Sequence, residues 1–277
     1  SFAQLISEWL GVPIEGVNLL TGDTDVVEYG GGSHSGRSMR LAGIIMGTAT
    51  DEIILKGTGI AAHILEAAKS DIVFKDARFT VAGTDRSVGI FEAAQIAEKE
   101  PGLPKELQGT LCAISDQVIK VPAFPFGAHA CEVEVDVETG QVDLMTYSGI
   151  DDVGRAVNPL ILHGQAHGAV TQGIGQALLE QIHYDQKNAQ LLTGSLMDYA
   201  IPRADEVPCF KTVLMEVAAS SHPMGIRPGG EGGTTPALAV LINAIVDALS
   251  DFGVKHVDMP ATPHRVWQAI QSVKGTP

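Results

Sequence analysis

Gly229-Gly230-Glu231-Gly232-Gly233-Thr234-Thr235-Pro236 runs directly into an apolar stretch that ends at Leu249. The run sets one carboxylate in a glycine-lined bend ahead of a helix, and it predicts Thr235 as the N-cap and Pro236 at the first helical position. Glycines allow a backbone approach that side chains forbid, and a helix start offers unpaired N–H groups with a field that favours anions. Glu231 is therefore placed to reach a bulky, buried ligand. Two roles stand open for it: a first-turn carboxylate satisfied by amides, or a base that is partly desolvated yet ionised.

Outward from this run, the residues from Ala237 to Leu249 and from Pro263 to Val273 read as helices. Asn158-Pro159 reads as a turn ahead of a helix from about Leu160 to Gln181, with Asp151-Asp152-Val153-Gly154 as a loop before it. From Ala130 to Val137 the chain alternates, Cys131, Val133, Val135 and Val137 against Glu132, Glu134, Asp136 and Glu138, which predicts a strand. Thr139-Gly140 is the turn and Gln141 to Ile150 the returning strand. Val213 to Ala218 is a further strand, and Leu196 to Ile201 a short strand or irregular segment.

In the first part, Ser1 to Leu10 reads as a helix with Phe2, Leu5, Ile6, Trp9 and Leu10 on one face, stopped at Gly11-Val12-Pro13. It lacks a cap, so the chain reads as a fragment or as a separately encoded piece of a larger assembly. Val17 to Leu20 is expected as a short strand and Gly22 to Asp25 as a turn. A helix from Arg37 to about Ala68 is expected to break near Gly57-Thr58-Gly59. Ile72 to Val81 reads as a hairpin about Lys75-Asp76-Ala77, Gly89 to Glu98 as a helix, and Leu107 to Val121 as strand. Helices and strands alternate without a βαβ rhythm, which predicts an α+β fold in two packed subdomains, 1–105 and 106–277, with the boundary falling between Pro101 and Pro122.

The chain has 277 residues, 45% of them apolar and only 18% charged, a balance that predicts much surface buried against another body. A formal net charge of −15 argues against nucleic acid or an anionic membrane as partner. No apolar run reaches the roughly 18 residues of a spanning helix, and no targeting peptide is visible. Cys112, Cys131 and Cys209 are too far apart in sequence for a zinc or iron–sulfur pattern, and their odd number makes a reducing, cytoplasmic compartment the simpler reading.

Several further groups are candidates for chemistry. Neither Gly30-Gly31-Gly32 nor Gly173-Ile174-Gly175 completes a dinucleotide fingerprint, and no phosphate-binding Gly-Lys-Ser/Thr loop is present. Ser33, His34, Ser35, Arg37 and Ser38 combine donors at a helix start, either as a phosphate or pterin cradle or as a capped loop with Arg37 in a surface ion pair. Gln165 and Gln172 lie among small residues on one helix, where an amide matches a heterocycle's edge; a solvent-facing amide is the plainer alternative. The histidines are scattered. His163 and His167 alone share a helix face, so no metal ligand is assigned. Phe124, Phe126, Tyr147, Met197 and Tyr199 serve either as an aromatic channel or as core, and His129 likewise.

Taken in order, Leu10 to Pro13, Thr21 to Asp25, Gly36 to Met39, Asp151 to Pro159, Gly164-Gln165, Gln172 to Leu178, Met197 to Pro202 and the Glu231 segment resemble the molybdenum-cofactor-binding subunit of the xanthine dehydrogenase and aldehyde oxidase family. The likeness is strongest to bacterial members related to aldehyde and carbon monoxide dehydrogenases, and it spans about the final third of that subunit. The resemblance implies that Glu231 is the base beside the molybdenum and that Gly232 lies behind the metal site. It makes Gln165 a pterin or oxo-ligand contact, and Ser35, Gly36, Arg37, Ser38 and Met39 part of the pterin and nucleotide cradle. The cofactor would be the molybdopterin cytosine dinucleotide form, held through its dithiolene without a protein ligand. An aldehyde or N-heteroaromatic carbon would be hydroxylated with oxygen from water, and electrons would leave through 2Fe-2S clusters on a partner, with or without an FAD subunit. A further chain would carry the rest of the molybdenum domain. Arg227-Pro228 stands where the family commonly has lysine, and Ser33-His34-Ser35-Gly36 departs from its commoner pattern. Reductive chemistry on the same cofactor, or a noncatalytic assembly role, are the alternatives.

Overall fold

The computed structural model describes residues 1–27, 29–118 and 123–274. Two compact units, Ser1–Pro122 and Ala123–Pro277, make up an α+β chain. The division falls after residue 122 rather than 105 because Leu107 is buried among Ile60, Phe79 and Ala97 of the first unit. Lys56 Nζ also donates to the carbonyls of Gln108 and Thr110, at 3.3 and 3.0 Å, and so holds the following segment there.

In the first unit, helix α1 (Phe2–Leu10) ends at Gly11, whose φ of 66° is left-handed, and buries Leu5. Helix α2 (Arg37–Ile64) is continuous, where a break near Gly57 was expected from the sequence. Its glycines serve close packing instead: a Cβ on Gly57 would strike the Phe79 ring, and one on Gly59 would lie 2.9 Å from Leu107. Strands β1 (Ile72–Lys75), β2 (Arg78–Val81) and β3 (Ser87–Gly89) form an antiparallel sheet in that order, followed by α3 (Ile90–Lys99). The expected hairpin about Asp76-Ala77 is present, with φ of 48° and 58° at its two turn residues. Val17 to Leu20 is not a strand: Leu19 and Leu20 are exposed, and no strand among the described residues pairs with them. The strand expected over Leu107–Val121 is also absent among its described residues, 107–118; the remainder lies outside them.

In the second unit, β4 (Phe126–Val135) and β5 (Val142–Asp152) form the predicted antiparallel hairpin. Its turn is held by Asp136, whose carboxylate accepts from Glu138 N at 2.8 Å and from Thr139 Oγ1 at 2.8 Å, bonds that draw its pKa down. β6 (Lys211–Met215) pairs parallel to β5. That parallel pairing extends β5 through Asp151 and Asp152, which the sequence suggested as loop; two carboxylates end a strand here because each finds a partner, His129 for Asp151 and Arg227 for Asp152. Helix α4 (Pro159–Leu178) starts at the Asn158 side chain, which accepts from Ile161 N at 3.2 Å. Helix α5 (Thr234–Ala248) packs between α4 and the sheet, and α6 (Pro263–Lys274) closes the unit. The apolar face of the hairpin meets Leu241, Ile245, Leu249, Val266 and Ile270, all fully buried, each contributing roughly 1.5 to 3 kcal/mol. Where α4 and α5 cross, a Cβ on Gly173 would lie 2.6 Å from Ala237 Cβ and 2.7 Å from Thr234 O. Residues 196–201 are irregular.

Candidate functional site

Helix α5 begins at Thr234 with Gly233 as its N-cap, where the sequence predicts Thr235 as N-cap and Pro236 as the first helical residue, and no side chain caps it. Gly233 already has helical backbone angles and is pressed against α4, where a Cβ would sit 3.0 Å from Ala166 O and 3.1 Å from Ala169 and Val170. The loop therefore turns helical as soon as it leaves that contact. Pro236 occupies the third helical position at no hydrogen-bond cost, because the first four N–H groups have no partner within the helix. Glu231 lies in the bend before it, its carbonyl accepting from Thr234 N at 3.3 Å, and its side chain is exposed.

The four glycines around Glu231 divide into two kinds. Gly229 and Gly233 are needed for packing, since a Cβ on Gly229 would fall 2.7 Å from Leu162. Gly230 and Gly232 are not: a Cβ at either meets nothing nearer than 3.7 and 3.4 Å respectively, and neither has a left-handed φ. The nearest atom to Gly230 is Gln165 Oε1, so α4 brings the Gln165 amide beside the Glu231 bend. Gln165 is exposed, the situation of a plain solvent-facing amide, yet its position is at the bend.

The base of the bend is fixed by a charged node. Asp152 Oδ1 accepts from Gly154 N at 2.9 Å and Val217 N at 3.1 Å, while Oδ2 pairs with Arg227 Nε at 3.0 Å. Arg227 also donates to Val217 O and lies over the Phe126 ring, 5.1 Å from its centre. Arg155 N and Arg227 N donate to Gly225 O and Val153 O, which stitches residues 225–227 to the end of β5. Positive charge before the glycine run is thus used for holding the loop.

On the inner face of the hairpin, His129 Nδ1 lies 2.8 Å from Tyr147 Oη and His129 Nε2 lies 3.2 Å from Asp151 Oδ1. Tyr147 is fully buried; burial, with Cys131 and Asp151 nearby, pushes its phenol well above the usual range. Sequence reasoning left Tyr147 and His129 open between channel and core and took Asp151 for loop. The signal it had was the inward alternation of the hairpin. Of the other aromatic candidates, Phe124 and Phe126 are exposed, and Tyr199 donates to Glu180 Oε2 at 2.6 Å. His163 and His167 both face Thr212 Oγ1, at 2.8 and 3.0 Å. Among the described residues no group of three or more His, Cys, Asp or Glu side chains is arranged to hold a metal ion, and no helix is long and apolar enough to cross a membrane.

Ser35 to Met39 belong to the first unit, at the start of α2. Ser35 and Gly36 both have positive φ, 53° and 60°, and Gly36 is the N-cap. Ser33 and Ser38 hydroxyls meet at 2.6 Å, and Arg37 Nη1 donates to Gly31 O at 3.2 Å and lies 3.3 Å from His34 Nε2. The loop is closed by its own polar groups, with Ser38 and Met39 half-buried.

A family model described as the molybdopterin cofactor-binding domain matches residues 1–208. The chain belongs to this family. The carbon monoxide dehydrogenase large chain of Hydrogenophaga pseudoflava is 34% identical over 272 residues, which is 98% of this molybdopterin cofactor-binding domain chain and 34% of that protein. Among solved structures, Cu,Mo-CO dehydrogenase in its carbon monoxide reduced state superposes with a TM-score of 0.89 at 31% identity, over 99% of this chain and 34% of that one. Quinoline 2-oxidoreductase from Pseudomonas putida 86 gives 0.87 at 32%, over 98% and 34%. The chain spans about a third of the length of these relatives, and the resemblance to bacterial molybdenum hydroxylases drawn from its motifs is correct.

The residues present fit such a cofactor. Gly230 and Gly232 leave two backbone positions with room for a Cβ at ordinary contact, next to an exposed carboxylate and an exposed amide. That donor set suits a bulky polar ring system held by hydrogen bonds and approached closely by backbone.

Proposed function

We propose that this chain contributes the base and part of the cofactor pocket of a molybdenum hydroxylase acting on an aldehyde or N-heteroaromatic carbon. The observation that carries the reading is Glu231 standing between two glycines that the fold itself does not require, with Gln165 beside it. Kinship with quinoline 2-oxidoreductase supports an electron-poor ring carbon as one substrate class. When bound, the cofactor, in its cytosine dinucleotide form, supplies a two-electron redox centre and the water-derived oxygen.

The chain's own residues then have distinct tasks. Glu231 takes a proton at its carboxylate, and the start of α5 one turn ahead favours negative charge there. Gln165 offers both a donor and an acceptor to a heterocycle edge. Gly232 keeps the wall behind the reacting group free of side chains, and Ser35, Gly36, Arg37, Ser38 and Met39 hold the pterin and nucleotide portion. Glu231 is exposed in the isolated chain, so the desolvation a base needs comes from the cofactor and from the remaining part of the molybdenum domain. A cytoplasmic partner bearing 2Fe-2S clusters takes the electrons, with or without an FAD subunit.

The test is Glu231→Gln in the assembled enzyme. Molybdenum content by elemental analysis should stay at the wild-type level while turnover falls by about 10²-fold or more, the usual worth of a positioned base. Turnover within a few-fold of wild type would remove Glu231 from the chemistry. Absence of molybdenum from gently purified wild-type enzyme would remove the cofactor reading altogether.

A further inference from the structure

The Asp151, His129 and Tyr147 chain is an expensive construction. A buried carboxylate and imidazole cost stability unless paired. Space for them is made by removing side chains on two sides: a Cβ on Gly127 would lie 2.6 Å from Asp151 Oδ1 and one on Gly149 would lie 2.8 Å from the His129 ring, while Gly232 lies at ordinary contact with the same carboxylate. Glycine inside a strand weakens it, and both glycines are strand residues placed opposite the polar pair: Gly127 faces Asp151 and Gly149 faces His129 across β4 and β5. The arrangement also has a direction. Tyr147 ends it in the core, fully buried, and Asp151 ends it under Gly232, where a Cβ would be 3.4 Å from Oδ1 and 3.9 Å from Cγ. Asp151 therefore forms the floor of the bend that presents Glu231. Its own orientation is set by His129, whose ring is fixed at both nitrogens.

We propose that Asp151, held by His129 and Tyr147, is a positioning residue for Glu231, fixing the Gly230–Gly233 bend in the arrangement the reaction uses. This rests on Glu231 being the base. A stitch serving only to join β4 to β5 would have no reason to reach past the sheet to the loop. Five residues along β4 from Gly127, the partner of Asp151, the bulge between Glu132 and Val133 shows that the same two strands tolerate a register break.

The experiment compares Asp151→Asn with wild type in two settings. In the cofactor-free full chain, amide exchange is followed at Thr234, whose N–H is bonded to Glu231 O, and at Leu241 and Ile245 deep in α5. Exchange at Thr234 should quicken at least tenfold and the other two should not change; equal rates at Thr234 would overturn the proposal. In the assembled enzyme, Asp151→Asn should lower kcat at least tenfold with KM within twofold and molybdenum content unchanged. Combined with Glu231→Gln it should lose no more than Glu231→Gln alone, because it acts through that residue. Additive losses would refute the assignment. If Asp151→Asn does not fold, His129→Gln frees the carboxylate and carries the same exchange measurement. Should Glu231→Gln leave turnover intact, the base reading falls, while the exchange result still decides whether Asp151 holds the bend.

Discussion

Alanine placed in turn at the four glycines around Glu231 should separate what the fold needs from what the ligand needs. At Gly233 the new Cβ would meet a backbone oxygen, Ala166 O, at 3.0 Å and two side chains at 3.1 Å, in a place where α4 cannot retreat without disturbing the core. Overpacking of this kind costs about 1 to 3 kcal/mol. At Gly229 the contact is tighter, 2.7 Å, but the atom met is the tip of Leu162, which rotates away at a cost of about 1 kcal/mol. At Gly230 and Gly232 the Cβ finds ordinary contact or open space, so alanine should be neutral or stabilise by about 0.4 to 1 kcal/mol through the unfolded state. In a unit of this size 1 kcal/mol moves Tm by roughly 2 to 4 °C. Trp267 lies in the second unit and Trp9 in the first, so fluorescence in a Trp9→Phe background reports the relevant transition. The expected order of Tm is Gly233→Ala lowest, Gly229→Ala next, with Gly230→Ala and Gly232→Ala at or above wild type. In the assembled enzyme the last two should nonetheless lose molybdenum content. If either costs the cofactor-free chain more than about 1 kcal/mol, the glycine serves the fold and the open-face argument fails.

Arg227→Leu leaves Asp152 buried without its cation and should destabilise the chain by about 3 kcal/mol, reduced toward 2 by the partial exposure of the guanidinium; Arg227→Lys should recover only part of this, and denaturant titration measures both. Cys112 and Cys209 are exposed, while burial lifts the Cys131 thiol from 9.0 to about 11, so two of three thiols should react with an alkylating probe at pH 8 in the native chain and all three after unfolding. Because the folded chain holds that proton more tightly than the unfolded one, the stability Cys131 contributes is whole below pH 9 and is lost as pH rises through 11; a Cys131→Ala chain should show a shallower decline over this window in denaturation titrations.

The β4–β5 hairpin was legible because its inward and outward residues alternate and its turn carries Thr139-Gly140, both local signals. The helix starts at Pro159 and Pro263 were legible for the same reason. What escaped was decided by contacts between residues remote in sequence. Gly57 looks like a helix breaker until Phe79 is seen to occupy the space a Cβ would take. Asp151 and Asp152 look like loop until β6 pairs beside them, the His129 ring meets Asp151 and Arg227 pairs with Asp152. The helix start at Thr234 is set by Gly233 pressing on Ala166, which no capping rule registers. Glu231 and Gln165 were singled out by residue type and setting, but only the fold brings Gln165 to Gly230. The distinction between packing glycines and open ones is wholly a matter of neighbours.

The crossing at Gly173 makes helix spacing a control on the acidic bend. A side chain introduced at Gly173 would press on Ala237 Cβ and on Thr234 O, three residues beyond Glu231, and so on the first turn of α5. The displacement has little slack to absorb it, since Gly233 is already seated against Ala166 on the same helix. A substitution in the middle of α4, on the face turned away from solvent, would therefore act as a lever on the carboxylate without touching it. Variation at Gly173 therefore bears on the bend that holds Glu231 through the helix crossing alone.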